Sequence, residues 1–444
     1  MAEKHEYKIE TKELVKVAAS GWLGTAMEFM DFQLYSLAAA IVFNEIFFPN
    51  ASPAMGLIMS MGTYGAGYIA RLVGAYVFGQ VGDKMGRRTV LFLTITLMGL
   101  ASTLIGFLPT YQEIGLLAPI GLVVLRIVQG LGAGAEISGA SVMVCEFSKV
   151  KSRGLVGSLV CLGTSTGTLL ANLIWTVILM MMSKEDLLLW GWRIPFYASF
   201  IVMVAAIFIR FSVKESPVMA AKGKLLEEER REEERKAINK PKKKGKKSFL
   251  VAMGLRFGQA GNSGLMQTYL AGFIVTVLTM QKVVATNANI VSSLISFLTI
   301  PLVGYLGDRY GRRKVYMVLS MAMAIYAIPM MLMITSQNVF MLTIGLTIGL
   351  NVGVQGLAAL ENVALAELFG ARRRMTLVSL SKEIAGLVAV GFGSIIAAAL
   401  VTAATGSWIP VAVMMITFSL TTFWSAYKSE DMTGRDLNEL DDAM

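Results

Sequence analysis

Gly82-Asp83-Lys84-Met85-Gly86-Arg87-Arg88 and Gly307-Asp308-Arg309-Tyr310-Gly311-Arg312-Arg313 are two copies of one charged motif, 225 residues apart. Each copy follows one long apolar run and precedes another. A motif repeated in this way indicates that the chain consists of two related membrane halves with the same charged turn on the same side of the bilayer. Repeated halves that enclose a site near the bilayer midplane are typical of transporters.

The composition of the chain supports a membrane protein. Hydrophobic residues make up 55% of the sequence and charged residues 16%. A spanning helix needs about 20 mostly apolar residues. The sequence predicts an all-α polytopic membrane protein whose twelve transmembrane helices form two six-helix bundles. The predicted spans lie near 18–43, 55–81, 89–108, 115–145, 154–182, 190–212, 249–280, 287–306, 314–335, 338–368, 375–403 and 408–427.

The distribution of basic residues predicts how the chain is oriented. If the amino terminus is inside, the cytoplasmic segments contain 32 of the 40 Lys and Arg residues, whereas the opposite segments contain only Lys184, Arg193 and Lys282. This asymmetry follows the positive-inside rule. It explains the net charge of +10 without nucleic acid and predicts a cell-membrane protein with both termini in the cytoplasm. The first sixteen residues lack the apolar core of a cleaved signal peptide, so we expect the first span to direct insertion.

Changes in composition predict five segments. They are a cytoplasmic tail (1–17), an N-terminal six-helix bundle (18–213), a charged linker (214–247), a C-terminal six-helix bundle (248–428) and a second cytoplasmic tail (429–444). Within the linker, Glu and Arg lie three and four residues apart over 224–236, which favours a solvated helix. The lysine block at 241–247 is suited to anionic lipid headgroups, although a specific protein partner is an alternative.

The repeat extends into the spans. Gln129 and Gly130 of the fourth span recur as Gln355 and Gly356 of the tenth, at an offset of 226. Arg126 lies opposite Asn351 in the same comparison, so one half is charged where the other is neutral. We expect such a difference at an asymmetric site between two similar halves.

Two carboxylates in the first span, Glu28 and Asp31, are the first candidates for proton coupling. They lie three residues apart and therefore share one face of a helix. An ionised group inside a span costs about 2.5–3.5 kcal/mol on insertion scales, so it normally faces water or a partner. One reading is a proton carrier; the other is a buried ion pair with Arg71 or Arg126. The only histidine, His5, lies in the tail, so any proton pathway uses carboxylates, with Glu136 as the third candidate.

Arg126 is the main candidate for substrate recognition. Its planar guanidinium remains charged and matches a carboxylate with two hydrogen bonds. It would either bind the carboxylate of a substrate or respond to the charge of a nearby acidic residue, and a structural pairing with Glu136 or Asp31 is the alternative. The predicted substrate-binding residues are Arg126, Arg71, Glu28, Gln129, Asn351 and Gln355.

The charged turns predict a cytoplasmic gate. Glycine permits a tight turn, and an aspartate can lie against a helix amino terminus or the following arginines. An ionic network of this kind would hold the gate in one state and break in the other. A purely topological anchor is a compatible reading. The predicted gate residues are Gly82, Asp83, Arg87, Arg88, Glu146, Arg153, Gly307, Asp308, Arg312, Arg313, Glu367 and Arg373.

Other chemistries lack support in the sequence. The two cysteines, Cys145 and Cys161, have no metal-ligand spacing around them. A nucleophile with an adjacent base is also missing, so we predict no catalytic residue, no metal and no enzymatic activity. The expected partners are a small-molecule substrate, protons as the coupling ion and the lipid bilayer, with no cofactor and no nucleic acid. A monomer is expected.

These motifs resemble the major facilitator superfamily and, within it, the metabolite:proton symporter family. Glu28-Phe-Met-Asp-Phe32, followed by Leu34-Tyr35, is similar to that family's Glu-Trp-Tyr-Asp-Phe signature. The helix-four motif resembles Arg126-Ile-Val-Gln-Gly-Leu-Gly-Ala-Gly134, and Trp190-Gly-Trp-Arg-Ile-Pro-Phe196 and Glu215-Ser-Pro217 also match. The resemblance implies import of a small organic acid, aromatic acid or zwitterion with protons, and it places Glu28, Asp31, Arg126 and Glu136 in the site region.

The sequence departs from the family where a substrate would lie. The family's Trp-Tyr is Phe29-Met30, and its Gly-Gly-Glu-Trp-Gly-Gly is Gly134-Ala-Glu-Ile-Ser-Gly139. The identity of the substrate therefore cannot be inferred from that of another family member. The alternatives are a sugar porter, of whose signature Lys214-Glu-Ser-Pro217 has only half, and a proton-coupled exporter, whose proline is missing from Gly163-Thr-Ser-Thr-Gly167. An alternative from a different functional class is a membrane sensor that transports nothing.

Overall fold

The computed structural model describes residues 10–50, 53–224 and 245–444. Residues 1–9 of the predicted tail and 225–244 of the predicted linker, including most of the Glu/Arg run and the lysine block, lie outside the described residues. We number the long helical segments in chain order. They are α1 Thr11–Phe47, α2 Pro53–Met85, α3 Arg87–Phe107, α4 Leu117–Phe147, α5 Val150–Met181, α6 Gly191–Phe211, α7 245–276, α8 Lys282–Tyr310, α9 Arg312–Thr335, α10 Val339–Leu368, α11 Arg374–Ala403 and α12 Ile409–Lys428.

The predicted fold class is confirmed: the chain is an all-α polytopic protein. Ten helices in the described part of the chain are long and apolar enough to cross a membrane, and α2 and α7 complete the set of twelve. Six helices precede the linker and six follow it. Large apolar side chains such as Ile69, Phe208, Leu298 and Ile325 lie exposed on the outer surface. An outer surface of this kind is suited to lipid.

The helices extend beyond the apolar runs that predicted them. α1 begins at Thr11, seven residues before the predicted span, and α8 covers Lys282–Tyr310 where 287–306 was expected. The apolar run only reports the hydrocarbon core, whereas helical hydrogen bonding continues into polar sequence at either end. The first helix therefore includes residues that the sequence assigned to the tail.

The two charged turns have the same backbone. Gly86 and Gly311 have positive φ angles of 108° and 93°, which a residue with a side chain rarely adopts. Each lies between two helices, with α2 and α8 ending before it and α3 and α9 beginning after it. Among the described residues, the start of α1, the carboxyl-terminal segment and both turns lie on one face of the molecule, which we call the termini face.

Within the described ranges, four π-helical stretches interrupt the long helices. They cover Ala39–Phe43 in α1, Gly264–Tyr269 in α7, Asn351–Gly356 in α10 and Leu387–Phe392 in α11. A π-helical turn widens a helix and shifts the direction of its side chains, and it is frequent at functional sites. The stretch in α10 contains both predicted polar residues of that helix, Asn351 and Gln355.

Candidate functional site

The two halves meet along two seams. We define the α2/α11 seam and the α5/α8 seam by the helices that form them; each pairs a helix of the first half with a helix of the second. Asp83 of α2 accepts hydrogen bonds from the backbone N–H groups of Met375 (3.1 Å) and Thr376 (2.9 Å) in α11. Asp308 of α8 accepts from Gly154 (2.7 Å) and Leu155 (2.8 Å) in α5. Each aspartate thus caps the first turn of a helix in the opposite half, where its charge also complements the helix dipole.

Two buried glutamates organise the arginines of the termini face. Glu146 of α4 binds Arg87 (3.3 Å) from its own half and Arg374 (2.9 Å) from the other. Glu367 of α10 binds Arg312 (3.3 Å) from its own half and Arg153 (2.8 Å) from the other. Each glutamate therefore joins the two halves. Removing one partner of such a buried pair typically costs about 3–5 kcal/mol.

The structure corrects one member of the predicted gate set. Arg373 is exposed, and its neighbour Arg374 is the buried residue that reaches Glu146. The sequence did contain the signal: Arg153 follows Glu146 by seven residues, and Arg374 follows Glu367 by seven. The pairing also crosses between the halves, because Arg153 binds Glu367 and Arg374 binds Glu146.

The remaining predicted gate residues support the same face. Arg88 and Arg313 donate to backbone carbonyls at the ends of α6 and α12, Phe211 (3.2 Å) and Tyr427 (2.7 Å). Gly82 and Gly307 lie inside α2 and α8, where a Cβ atom would collide with the side chains of Met375 and Leu360. Their small size permits close packing.

The carboxyl-terminal segment covers this network. The backbone carbonyl of Leu437 accepts from Arg374 Nη2 (2.7 Å), and that of Arg435 accepts from Arg153 Nη1 (2.9 Å). Lys222, in a short helix at 217–224, donates to the carbonyls of Asp83 (2.8 Å) and Arg372 (2.9 Å). The tail and the start of the linker thus add contacts between the halves, which sequence reasoning did not predict.

Asp31 lies in a hydrogen-bonded network within the first half. Its carboxylate is 2% exposed and accepts hydrogen bonds from two hydroxyls, Ser102 of α3 (2.5 Å) and Ser199 of α6 (2.6 Å). Ser102 in turn accepts from Gln129 Nε2 (2.6 Å), and Gln129 accepts from Arg126. A chain of hydrogen bonds therefore connects Asp31 with Arg126.

Arg126 is fully buried and packs on aromatic rings. Its guanidinium carbon lies 3.8 Å from the centre of the Tyr35 ring and 5.2 Å from that of Phe32. Cation–π contacts of this kind stabilise a cation away from water. The predicted residues Arg126, Gln129 and Asp31 are thus brought together, with Arg126 in a position to respond to the charge of Asp31.

Glu136 is separate from this network. It binds Arg210 of α6, with Arg210 Nη1 at 3.2 Å from Oε2, and accepts a hydrogen bond from Thr94 of α3 (2.6 Å). All three residues belong to the first half. Arg210 is another residue that sequence reasoning missed, because it lies in the last turn of an otherwise apolar span. The sequence left a structural pairing of Glu136 with Arg126 as an alternative, whereas in the structure the partner of Glu136 is Arg210.

Glu28 belongs to a cluster between the halves. It lies 2.8 Å from Arg71 of α2, and Arg71 also binds Glu383 of α11 at 2.9 Å. Although Glu28 and Asp31 share a face of α1, they therefore have different partners. The rings of Phe32 and Tyr68 lie 5.0 and 5.5 Å from the Arg71 guanidinium carbon.

The second half contributes a group of charges at the same level. Glu361 of α10 binds Arg256 of α7 (3.1 Å) and Lys382 of α11 (3.2 Å). The predicted polar residues of α10 lie nearby in sequence but have other partners: Asn351 donates to Ser292 Oγ (3.1 Å), and Gln355 accepts from Thr164 of α5 (3.4 Å). Gln355 thus contacts the first half, whereas Asn351 stays within the second.

The α5/α8 seam has a pair of hydroxyl groups at the corresponding level. Ser165 of α5 and Ser296 of α8 lie 2.5 Å apart. Ser296 is 225 residues after Arg71, the same offset that relates the two charged turns. The α2/α11 seam is therefore ionic near the middle of the membrane, and the α5/α8 seam is neutral.

Comparisons with known proteins agree with this architecture. The family described as "Sugar (and other) transporter" matches residues 34–442. The chain is 50% identical over 420 residues to "Putative transporter YdfJ" of Escherichia coli (strain K12), covering 93% of this chain and 96% of that protein. It is 30% identical over 418 residues to the "Shikimate transporter" of the same strain, covering 94% of each.

A solved structure has the same fold. The proton:xylose symporter XylE, a protein of the major facilitator superfamily in complex with 6-bromo-6-deoxy-D-glucose, superposes with a TM-score of 0.80 over 97% of this chain and 98% of that chain. The sequences are 16% identical.

Proposed function

This chain belongs to the sugar (and other) transporter family of the major facilitator superfamily, and on that premise we propose that it imports a small carboxylic acid or zwitterion together with protons. It is a multi-pass membrane transporter and not an enzyme. We place it in the cell membrane with the termini face in the cytoplasm, because the basic residues concentrate on that face. The two halves would alternate access to a site between them.

The observation that supports proton coupling is the setting of Asp31. The hydrogen bonds to Asp31 come from neutral hydroxyls. Five glutamates instead bind an arginine or lysine directly: Glu28, Glu136, Glu361, Glu146 and Glu367. A hydroxyl can donate to a carboxylate and also accept from a protonated carboxyl group, so Asp31 can gain a proton without breaking an ion pair. We therefore propose Asp31 as the residue that carries the coupled proton.

Arg126 would sense this protonation. Hydrogen bonds through Gln129 and Ser102 link the guanidinium to Asp31. Protonation of Asp31 therefore removes one of the negative charges that balance Arg126. The notion that Arg126 binds the substrate directly fits its complete burial less well. Arg71, whose side chain is 10% exposed between the halves, is our preferred residue for the substrate carboxylate. Gln355 would contribute at the same interface.

Proton coupling can be tested with Asp31→Asn in proteoliposomes. A thermal-shift screen first identifies a ligand among shikimate, benzoate, proline, glycine betaine and xylose. With that compound radiolabelled, we expect wild type to accumulate it under an imposed inward proton gradient. Asp31→Asn should lose accumulation but keep exchange of labelled for unlabelled compound, because exchange requires no net proton movement.

Glu185→Gln is the control, since Glu185 is exposed between α5 and α6. Full gradient-driven accumulation by Asp31→Asn would remove Asp31 from the proton pathway. Uptake of xylose and none of the acids or zwitterions would favour the sugar-porter alternative, and ligand binding without any transport would favour a sensor.

A further inference from the structure

Glu383 of α11 was not among the predicted site residues, yet it occupies a central position between the halves. Both of its carboxylate oxygens accept from Arg71 of the other half, Oε2 from Nε at 2.9 Å and Oε1 from Nη2 at 3.1 Å. This two-bond geometry is the one in which a guanidinium binds any free carboxylate. Glu383 is also within electrostatic range of Arg256 of α7.

Exposure separates three side chains from the rest of the cluster. Those of Arg71, Glu383 and Arg256 are 10%, 11% and 21% exposed, whereas those of Glu28 and Glu361 are at most 1% exposed. The first three therefore border the space between the halves. They comprise one arginine from each half and one carboxylate that interacts with both.

The charges of the cluster balance. Arg71, Arg256 and Lys382 are the cations, and Glu28, Glu361 and Glu383 are the anions. If Glu383 leaves Arg71, that arginine keeps Glu28 in its own half, and Glu383 keeps the cations of the second half. The pair can therefore separate without leaving a lone charge in a region of low dielectric, which would be costly.

We propose that Arg71 and Arg256 form a carboxylate-binding site and that Glu383 is a built-in competitor for it. The inference rests on the proposed function in that the natural occupant would be the carboxylate of the transported compound. When that carboxylate binds Arg71, it displaces Glu383 and releases α11 from α2 at this level. The bound anion adds one negative charge, and one proton taken up by Asp31 keeps the total charge of the buried groups of both halves unchanged.

The site can be tested without knowing the natural substrate, using sodium acetate as the probe. Thermal unfolding of purified full-length protein in detergent is followed as acetate is raised, with sodium chloride and acetamide as controls for ionic strength and for a neutral ligand. Glu383→Gln removes the competing charge at nearly constant size. We expect its half-maximal acetate concentration to be at least about tenfold below that of wild type, as when a competitor fills a site about nine-tenths of the time.

Further variants distinguish a binding site from general destabilisation. The double variant Glu383→Gln/Arg71→Gln should lose the acetate response, and Glu383→Gln/Arg256→Gln should weaken it by about tenfold. If Glu383→Gln does not fold, Glu383→Ala is measured instead, since it leaves room for acetate at the vacated position. An acetate response equal to that of wild type in the variants at Glu383 would overturn the proposal.

The outcome is separable from that of the proposed function. Tighter acetate binding by Glu383→Gln, together with no proton-driven accumulation of any acid by wild type, would leave the site intact and refute acid–proton import. Suppose instead that wild type accumulates an acid but Glu383→Gln binds acetate no more tightly than wild type. That result would support acid–proton import and refute the role of Glu383 as a competitor.

Discussion

The α2/α11 and α5/α8 seams are alike at the termini face and unlike near the middle of the membrane. At the termini face each seam has an aspartate that caps a helix of the other half, and each has a glutamate that binds one arginine from each half. Near the middle of the membrane, Arg71 and Glu383 form an ion pair in the α2/α11 seam, whereas Ser165 and Ser296 share a hydrogen bond in the α5/α8 seam. This difference fits our proposal, in which both seams hold the termini face closed and only the α2/α11 seam binds the transported compound.

The largest expected effect tests the similarity at the termini face. Arg374→Gln and Arg153→Gln each remove one arginine from a buried glutamate, at a cost of about 3 kcal/mol. We expect both to open this face by comparable amounts. Alkylation of the native thiols can measure the opening, because Cys145 and Cys161 are buried between the halves, where both contact Asn362 of α10. The rate should rise by more than about tenfold in both variants.

Arg373→Gln is the matched control, since Arg373 is exposed. Alkylation in this variant should proceed at the wild-type rate. A large increase with Arg374→Gln but none with Arg153→Gln would show that the two seams are not equivalent at the termini face.

An intermediate effect tests the neutral contact near the middle of the membrane. Ser165→Ala removes one buried hydroxyl and should weaken the α5/α8 seam by about 1 kcal/mol. We expect alkylation of the native thiols to rise about fivefold and the acetate response to stay as in wild type. Thr168→Ala, one turn further along α5, is the control, because its hydroxyl bonds only the backbone of Thr164 within the same helix. A lost acetate response in Ser165→Ala would mean that this seam also takes part in binding.

The smallest effect concerns Lys222, which joins the halves only at the α2/α11 seam. Burial lowers the pKa of Lys222 from its ordinary value of 10.5. The folded protein thus binds this proton less tightly than the unfolded chain, and the stability of wild type relative to Lys222→Met should rise as the pH increases through the lowered pKa. The gain should be complete above 10.5. It should be small, because the short helix lies at the surface.

Melting temperatures of both proteins from neutral pH to just above that value would measure this difference. Lys224→Met is the control, since Lys224 is exposed in the same short helix. A difference between wild type and Lys222→Met that does not change with pH would contradict the assignment.

Much of the fold could be predicted from the sequence because its signals are local. Apolar runs located all twelve helices, and the repeated turns placed Asp83 and Asp308 at matching positions. The helix ends were less accurate, as in α1, because hydrogen bonding continues beyond the apolar residues. The gate residues stay a prediction, and the structure differs from it at one point: Arg374 is buried among the ion pairs, whereas its predicted neighbour Arg373 is exposed. The rotation of the helix about its axis decides which arginine faces inward, and three consecutive arginines do not reveal that rotation in the sequence.

The partners of the buried charges were less predictable. The spacing of Glu28 and Asp31 indicated a shared face, but their carboxylates turn to Arg71 and to two serines. Glu383 and Arg210 were missed because their roles depend on residues more than seventy positions away. A pair this distant leaves no spacing pattern in the sequence.

The sequence by itself determined the class of this protein: a duplicated twelve-helix transporter of the major facilitator superfamily with a charged turn in each half. Hydrophobic length and a repeated motif are properties of contiguous residues, so they can be read along the chain. Only the tertiary structure decided which charges neutralise one another, that Arg153 and Arg374 of the termini face bind glutamates of the opposite half, and that one seam is ionic and the other neutral. A buried charge takes its partner from whichever helix packs against it, and that helix is chosen by the packing of the whole molecule.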